Sequence, residues 1–436
     1  MSETIVEAPL VETICPLHPL RSAILNELHA RPFAAISVPS RILHFGFLTN
    51  EVEAKLDRQR LSEFFLSRGL SVPTASERHF RVMLDDVVLR WEQHSEFTTY
   101  TWEIPHHTTG TPFQTGASCL PLSVRLVPSA GELLVAVDLE VVNSADGLPW
   151  ERLFDRSSLA GAATEDGTAI YATDFRVTAQ GFVRILVLDQ GLDGDSAGAL
   201  VQRLLEIETY RTLALLGLPT AQRILPSMSA IERRLVEVTT AMRDRHDLDS
   251  NRRLLEELTA LAADLEADAA ASVFRFGATR AYYKIVEQRL RTVGETRLPG
   301  VPPWSSFLAR RMGPAVRTCA ATELRQSTLS LKLSRAADLL RTRVDVELQK
   351  QNQDLLKSMN ARTRMQLRLQ TTVEGLSVAA ITYYVVGLFG YFVKAAHEIG
   401  QVWLEPTYAT AGFIPVASLL IWLTVRRIRK HHVQEE

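Results

Sequence analysis

Four clusters of side chains have types and spacings that could do chemistry. The densest runs from Trp91 through Glu92, His94 and Glu96 to Phe97, Tyr100 and Trp102. On a strand, where side chains alternate between faces, Glu92, His94 and Glu96 project together. Two carboxylates flanking an imidazole could ligate a divalent cation or carry out acid–base work. His106 and His107 follow on an expected loop and could join them. The same row is equally what a solvated sheet face looks like.

A second cluster sets Arg21, His29 and Arg31 near one another, which would suit an anion pocket. The competing reading pairs Glu27 with Arg31 at i, i+4 on a helix surface. The third is RLLEIETYR, with Glu206, Glu208, Tyr210 and Arg211; pairing between helices is the simpler use of those groups. The fourth, FRFGATRAYYKIV, mixes Arg275, Arg280 and Lys284 with Phe276, Tyr282 and Tyr283. Basic and aromatic interleaving can stack a nucleotide, but on a packed helix it makes core plus a solvated edge. No P-loop, dinucleotide-binding glycine motif, H-E-x-x-H or G-x-S-x-G is present. No common enzyme class is named by the chain. Any cofactor stays open, a divalent cation being the one suggested.

Composition narrows the field further. The 436 residues carry 48 basic and 50 acidic side chains, a net charge of −2, so nothing draws the chain as a whole onto nucleic acid. A hydrophobic content of 46% is that of a globular protein with a sizeable core. The 3 cysteines, Cys15, Cys119 and Cys319, lie far apart, which fits a reducing compartment better than a disulfide framework or a zinc site.

The elements that must position these groups change character along the chain. From about residue 18 to 195 the pattern is mixed. A short helix is expected at HPLRSAILNELHA and an amphipathic helix at EVEAKLDRQRLSEFFLSRGL. Strands are expected at RILHFGFLT, HFRVML, VVLRWEQHSEF, TTYTWEI, ELLVAVDLEVV, AIYATDFRVT and GFVRILVLD, with a turn at Asp85–Asp86. Strands following strands favour α+β over a doubly wound sheet. From residue 196 the period turns helical. Gly217 and Pro219 read as closing one helix, Pro226 as opening the next, and Asp249–Ser250 as capping a third that runs toward Gly294. After Pro314 no Gly or Pro occurs until Gly375, about 60 residues or some 90 Å of helix. Its apolar stripe, Leu329, Leu333, Leu340, Val344, Leu348, Leu355 and Met359, needs cover from neighbouring helices or from further copies of the chain.

Two apolar runs end the chain. Gly375–Ala396 is about 22 residues, some 33 Å of helix, and Tyr408–Val425 is about 18 residues, some 27 Å; both approach the thickness of a bilayer core. Arg362, Arg364 and Arg368 precede the first, and Arg426, Arg427, Arg429 and Lys430 follow the second. The connection carries Glu398 and Glu405 and no basic residue but His397. The positive-inside rule places both outer flanks in the cytoplasm. The N-terminus has neither the basic start nor the apolar stretch of a signal peptide. The expected fold is α+β: a mixed α/β sheet domain (1–195), a long-helix bundle or stalk (196–374), a two-helix transmembrane hairpin (375–425) and a basic cytoplasmic tail (426–436).

The phrases HPLRSAILNELHARPF, RWEQHSEFTTYTWE, RLLEIETYRTLALLGLP, FRFGATRAYY and TTVEGLSVAAITYYVVGLFGY resemble a bacterial family of uncharacterised, predicted membrane-anchored proteins, domain-of-unknown-function family 3422. The resemblance spans nearly the whole chain and implies a bacterial inner-membrane setting, with no activity to carry over. The layout is also distantly similar to CorA-type magnesium channels. Their first span ends in Gly-Met-Asn, where this chain has Gly387-Leu-Phe-Gly390-Tyr391.

Three functions compete. In an oligomeric cation pathway, Thr371, Gly375, Val378, Thr382, Val386 and Phe389 would line an axis, with Glu374 at the inner mouth and Glu398 and Glu405 in an outer acidic ring. In a tethered sensor or scaffold the hairpin only anchors. In a tethered metal-dependent enzyme, Glu92, His94 and Glu96 would hold the ion. The partners expected are the lipid bilayer and further copies of the chain, and no nucleic acid.

Overall fold

A computed structural model describes residues 15, 18–21, 24–25, 34–74, 77–105, 112–113, 124, 129, 131–143, 150–244, 247–400 and 405–432, the last five and residue 150 by backbone alone. Most of the short helix expected at 18–30 lies outside these residues, as do His29, Arg31, His106 and His107. Two compact units emerge: Met1–Val238 with Leu258–Arg335, and Thr239–Glu257 with Ala336–Glu436.

The first unit is built on a sheet of nine strands: β1 (Ser40–Leu48), β2 (His79–Leu84), β3 (Val87–Gln93), β4 (Phe97–Pro105), β5 (Glu132–Asn143), β6 (Ala160–Ala163), β7 (Ala169–Val177), β8 (Val183–Asp189) and β9 (Thr296–Arg297). Their spatial order is β2-β3-β4-β1-β5-β8-β7-β6-β9. Among the described residues every pairing is antiparallel except β5 with β8, where Val137 faces Val183. The expected α+β class is what the chain forms.

Alternation along the strands feeds two large cores, and a smaller third forms where Val142, Ala172, Leu186 and Leu188 meet Phe113 and Phe154. On β1, Ile42 joins Val137, Leu139 and Ile185 on one face, whereas Leu43 joins Leu89, Trp91 and Trp102 on the other. The second face is covered by helix α1 (Glu51–Leu66), whose Ala54, Asp57, Leu61 and Phe65 recur every three or four residues. Asn50 and Glu53 form a reciprocal capping box at its start, satisfying two orphan N–H groups. Helix α2 (Gly194–Leu215) lies on the first face with Leu200, Leu204 and Leu213. There it is joined by Val286 and Leu290 of α4 (Leu248–Val293) and by Trp304 and Phe307 of α5 (Trp304–Glu398).

The helix boundaries differ from expectation in informative ways. Helix α2 stops at Leu215, and α3 (Gly217–Asp244) starts at once, carrying Pro219 in its first turn and Pro226 inside. A proline in the first turn has no intrahelical N–H bond to lose. In the interior Pro226 sacrifices about 3 kcal/mol. Burial of Ile224, Met228 and Ile231, at about 1.5–3 kcal/mol each, outweighs that loss. Asp247, not Asp249, caps α4 by accepting from the Ser250 N–H (2.9 Å). Helix α5 begins ten residues ahead of Pro314 and runs 95 residues without a break. The short strands β6 and β9 were too brief to leave a periodic trace.

The second unit holds most of α5 together with α6 (Pro406–His432). Leu340 and Val344 of the apolar stripe are buried, and Arg343 donates to the Met242 carbonyl. From Leu355 onward the stripe is bare: Leu355, Met359, Met365 and Leu369 are all exposed. Further along, α5 and α6 pack as an antiparallel hairpin. Phe389 stacks on Phe413 with ring centroids 3.9 Å apart. Gly390 faces Thr410 across the hairpin, where a Cβ would make ordinary van der Waals contact at 3.5 Å.

Candidate functional site

The polar pocket under α2 follows from strand parity. On β3, Leu89 and Trp91 enter the core beneath α1, so Arg90 and Glu92 must point to the face that α2 covers. On β4, Thr99 and Thr101 share that face, and β1 adds His44. The helix meets them with Gln202, Glu206 and Thr209, one polar group for each turn. These residues enclose a cavity of about 20 Å³, which is room for one water molecule.

His44 is fully enclosed. Its Nδ1 lies 2.8 Å from Thr101 Oγ1 and its Nε2 3.0 Å from Thr209 Oγ1. Thr209 gives its only hydroxyl proton to the Leu205 carbonyl (2.8 Å), so it can only accept from His44. The ring is therefore the Nε2–H tautomer, with Thr101 donating to Nδ1. Burial above all, and the Arg90 charge next, push its pKa from 6.5 down to about 3. His44 is a neutral, locked imidazole.

Arg90 donates from Nη1 to Gln202 Oε1 (3.1 Å), and Gln202 passes the chain to Glu206 Oε1 (3.1 Å). Glu206 in turn pairs with Arg289 of α4. Glu92 sits 3.6 Å from His79 Nδ1 and 3.9 Å from both Arg90 Nε and His94 Nε2. Burial works to raise its carboxyl. The His79 ring and the charges of Arg90 and His94 overcome that and hold it down at about 2. Arg90 Nε and Thr99 Oγ1 remain buried with no hydrogen-bond partner. Two donors thus face a cavity that already contains a fixed carboxylate, a setting suited to an oxygen-bearing guest such as water.

Of the expected triad, Glu92 and His94 come together and Glu96 leaves. Strand β3 ends at Gln93, and the His94 N–H donates to the Phe97 carbonyl (2.8 Å), leaving Ser95–Glu96 as a two-residue hairpin loop. The alternation that would align Glu96 stops there. Glu96 instead accepts both Arg275 Nη groups (3.2 and 2.6 Å) and the Tyr282 hydroxyl (2.6 Å) from α4. His94 stacks flat on Phe97, 4.1 Å between centroids, and Phe97 meets Tyr210 edge-on. Among the described residues no three His, Cys, Asp or Glu side chains converge as a metal ion requires.

The other candidates are dispersed. Arg21 is exposed, and its expected companions His29 and Arg31 lie outside the described residues. Glu208 pairs with Arg211 within α2, and Arg280 pairs with Glu323. Glu374, Val378, Thr382, Val386 and Phe389 do share one side of α5, the side half-buried within the hairpin. Glu398 and Glu405 are exposed at the helix ends. Sequence reasoning missed His44, His79 and Gln202. The parity of Arg90 and Glu92 against Leu89 and Trp91 was the available signal for a polar spot on a covered face.

These features define a class: an α+β body joined to two helices long and apolar enough to cross a membrane, of whose apolar windows only 6% is buried. The chain belongs to the family described as protein of unknown function (DUF3422), whose model matches residues 16–432. No curated protein and no solved structure matches it.

Proposed function

We propose that this is a two-pass protein of the bacterial inner membrane, with both termini cytoplasmic, whose hairpin anchors an α+β body that binds a ligand or a protein. One observation carries the preference for an anchor over a pore: the face of α5 chosen for a lining is the face that α6 covers. Phe389 is occupied by Phe413, and Val393 and Ala417 are buried between the same two helices. A residue packed against its own hairpin partner does not face an axis between copies. In the polar pocket under α2, the Glu92 carboxylate and the neutral His44 face a space the size of one water molecule.

The bare stripe Leu355, Met359, Met365 and Leu369 supports a second reading, association with further copies of the chain alongside α5. That association is compatible with an anchor and is also what a CorA-like cation pathway would need.

Reconstituting the full chain in proteoliposomes separates these readings. The anchor predicts labelling of Glu405→Cys by an impermeant maleimide from the side opposite Ser358→Cys, and no cation flux above that of empty vesicles. Flux that disappears in Glu374→Gln or Thr382→Leu would replace the anchor by the pathway.

A further inference from the structure

The inner end of the hairpin carries more cations than carboxylates. Between Asp354 and Glu374 there is no acidic residue, yet Lys357, Arg362, Arg364 and Arg368 fall there, and Arg426 and Arg427 stand near the end of α6. Lysines just upstream are paired, Lys350 with Glu347 and Lys357 with Asp354. By contrast, Arg364, Arg368, Arg426 and Arg427 make no ion pair among the described residues. Arg426 instead rests 5.0 Å from the Trp422 ring, which is itself half-exposed.

The hairpin register brings these groups to one depth. Counting 13 residues from the Phe389–Phe413 stack places Arg426 level with Leu376 (413 + 13 and 389 − 13), and Arg427 level with Gly375. Arg368 lies seven residues before Gly375, about 10 Å along the helix, and Arg364 one turn further on the same side. That is the depth of a headgroup layer beneath the apolar run, within the reach of long side chains that extend toward the interface. Guanidinium matches phosphate oxygens in a two-pronged geometry, and unpaired basic clusters at the cytoplasmic edge of a span attract anionic lipid.

We infer that Arg364, Arg368, Arg426 and Arg427 form a binding surface for the headgroups of anionic phospholipids. The inference rests on the membrane reading above, and it goes further in naming the lipid class. Charge complementarity selects this occupant: four arginines outnumber the one carboxylate at this depth, Glu374, and they stand beside exposed Leu367, Leu369 and Trp422 suited to acyl chains.

The test uses the full chain reconstituted in vesicles of phosphatidylcholine alone or mixed in equal parts with phosphatidylglycerol. The protein is then extracted in mild detergent and its retained lipid counted by class. The wild type is expected to retain phosphatidylglycerol over phosphatidylcholine, and each arginine removed is expected to lower that preference about fivefold. The pairs Arg364→Gln/Arg368→Gln and Arg426→Gln/Arg427→Gln test the surface, with Lys350→Gln/Lys357→Gln as a control of equal charge that should retain the preference. Equal retention of both lipids by the wild type, or a preference untouched by both arginine pairs, overturns the proposal while leaving insertion into either vesicle, and so the anchor, intact. Displacement of the lipid by inorganic phosphate would make the surface a phosphate site and overturn it too. Failure to enter either vesicle removes the anchor and this surface together.

Discussion

His44 makes the pocket sensitive to acid. Folded, the ring stays neutral to about pH 3, whereas in the unfolded chain it protonates near 6.5. Between those values the unfolded state binds more protons, so this contribution is complete above pH 6.5 and is lost as pH falls, by at most about 1.4 kcal/mol per pH unit. Glu92 acts lower: with its carboxyl held at about 2 against 4.5 unfolded, its contribution is complete above 4.5 and fades below. Glu140 on β5 opposes His44 in the same window. Burial foremost, and Asp138 beside it, push its carboxyl up to about 7 against the N–H bond from Phe113, so the stability it lends is complete below 4.5 and lost as pH rises through 7. A difference between variants isolates the histidine. Denaturant midpoints of the full chain in detergent at pH 7 and pH 5 should show the wild type losing about 2 kcal/mol more than His44→Gln. Equal losses would mean that the ring is not held neutral.

The hairpin loop supplies a second residue-scale test. Glu96 has one carboxylate and three donors from α4, most of it out of solvent, so Glu96→Gln should cost about 1–3 kcal/mol. A double-mutant cycle with Arg275→Met should return a coupling of about 1 kcal/mol or more. A coupling near zero would make the clamp incidental. The Glu92, His94 and Glu96 row was legible as residue types, and its dispersal was not. Whether a strand ends at Gln93 or continues to Phe97 depends on where the neighbouring strand turns, and that is decided by pairing with β4, not by side-chain alternation.

At the scale of elements, the strands β1 to β5, β7 and β8 could be read because each alternates over six or more residues beside Gly or Asp breaks. Glycine and proline misled where they serve packing. Gly217 reads as a helix stop, yet it begins α3 at a point where a Cβ would stand 2.3 Å from Thr279 Oγ1 and 3.0 Å from Cys319 Sγ. Thr279 is not free to yield, because its hydroxyl donates to the Ala214 carbonyl (3.0 Å). Gly217→Ala should therefore destabilise the chain by about 1–3 kcal/mol despite alanine's better helix propensity. Thr279→Ala introduced with it should return part of the loss, measured by thermal unfolding of the full chain. A stabilised Gly217→Ala would show that the helices have room to part, and the stop-signal reading of Gly217 would regain its force.

For the whole molecule the open alternative is whether the half-buried side of the apolar end of α5 faces its own partner helix or a second copy. Apolar length located the two helices from the sequence alone, but a stripe of Val378, Thr382, Val386 and Phe389 has the same spacing whether it lines an axis or seats a neighbour. Only the register of the hairpin tells them apart. Gly390 and Thr410 report it directly, since an ideal Cβ at 390 lies 3.5 Å from Thr410 Cγ2 and Oγ1, close to disulfide geometry once both are cysteine. In a background with Cys15, Cys119 and Cys319 replaced by serine, Gly390→Cys with Thr410→Cys should oxidise in native membranes to a bridge within one chain. The product should migrate as a monomer on a non-reducing gel, with its free thiols lost to labelling. Gly390→Cys alone should leave a monomer with a reactive thiol. If that single variant instead yields cross-linked dimers, and the double variant does the same while its thiol at position 410 stays reactive, the stripe faces another copy, and the pore-lining reading of Val378, Thr382 and Val386 takes precedence over the anchor.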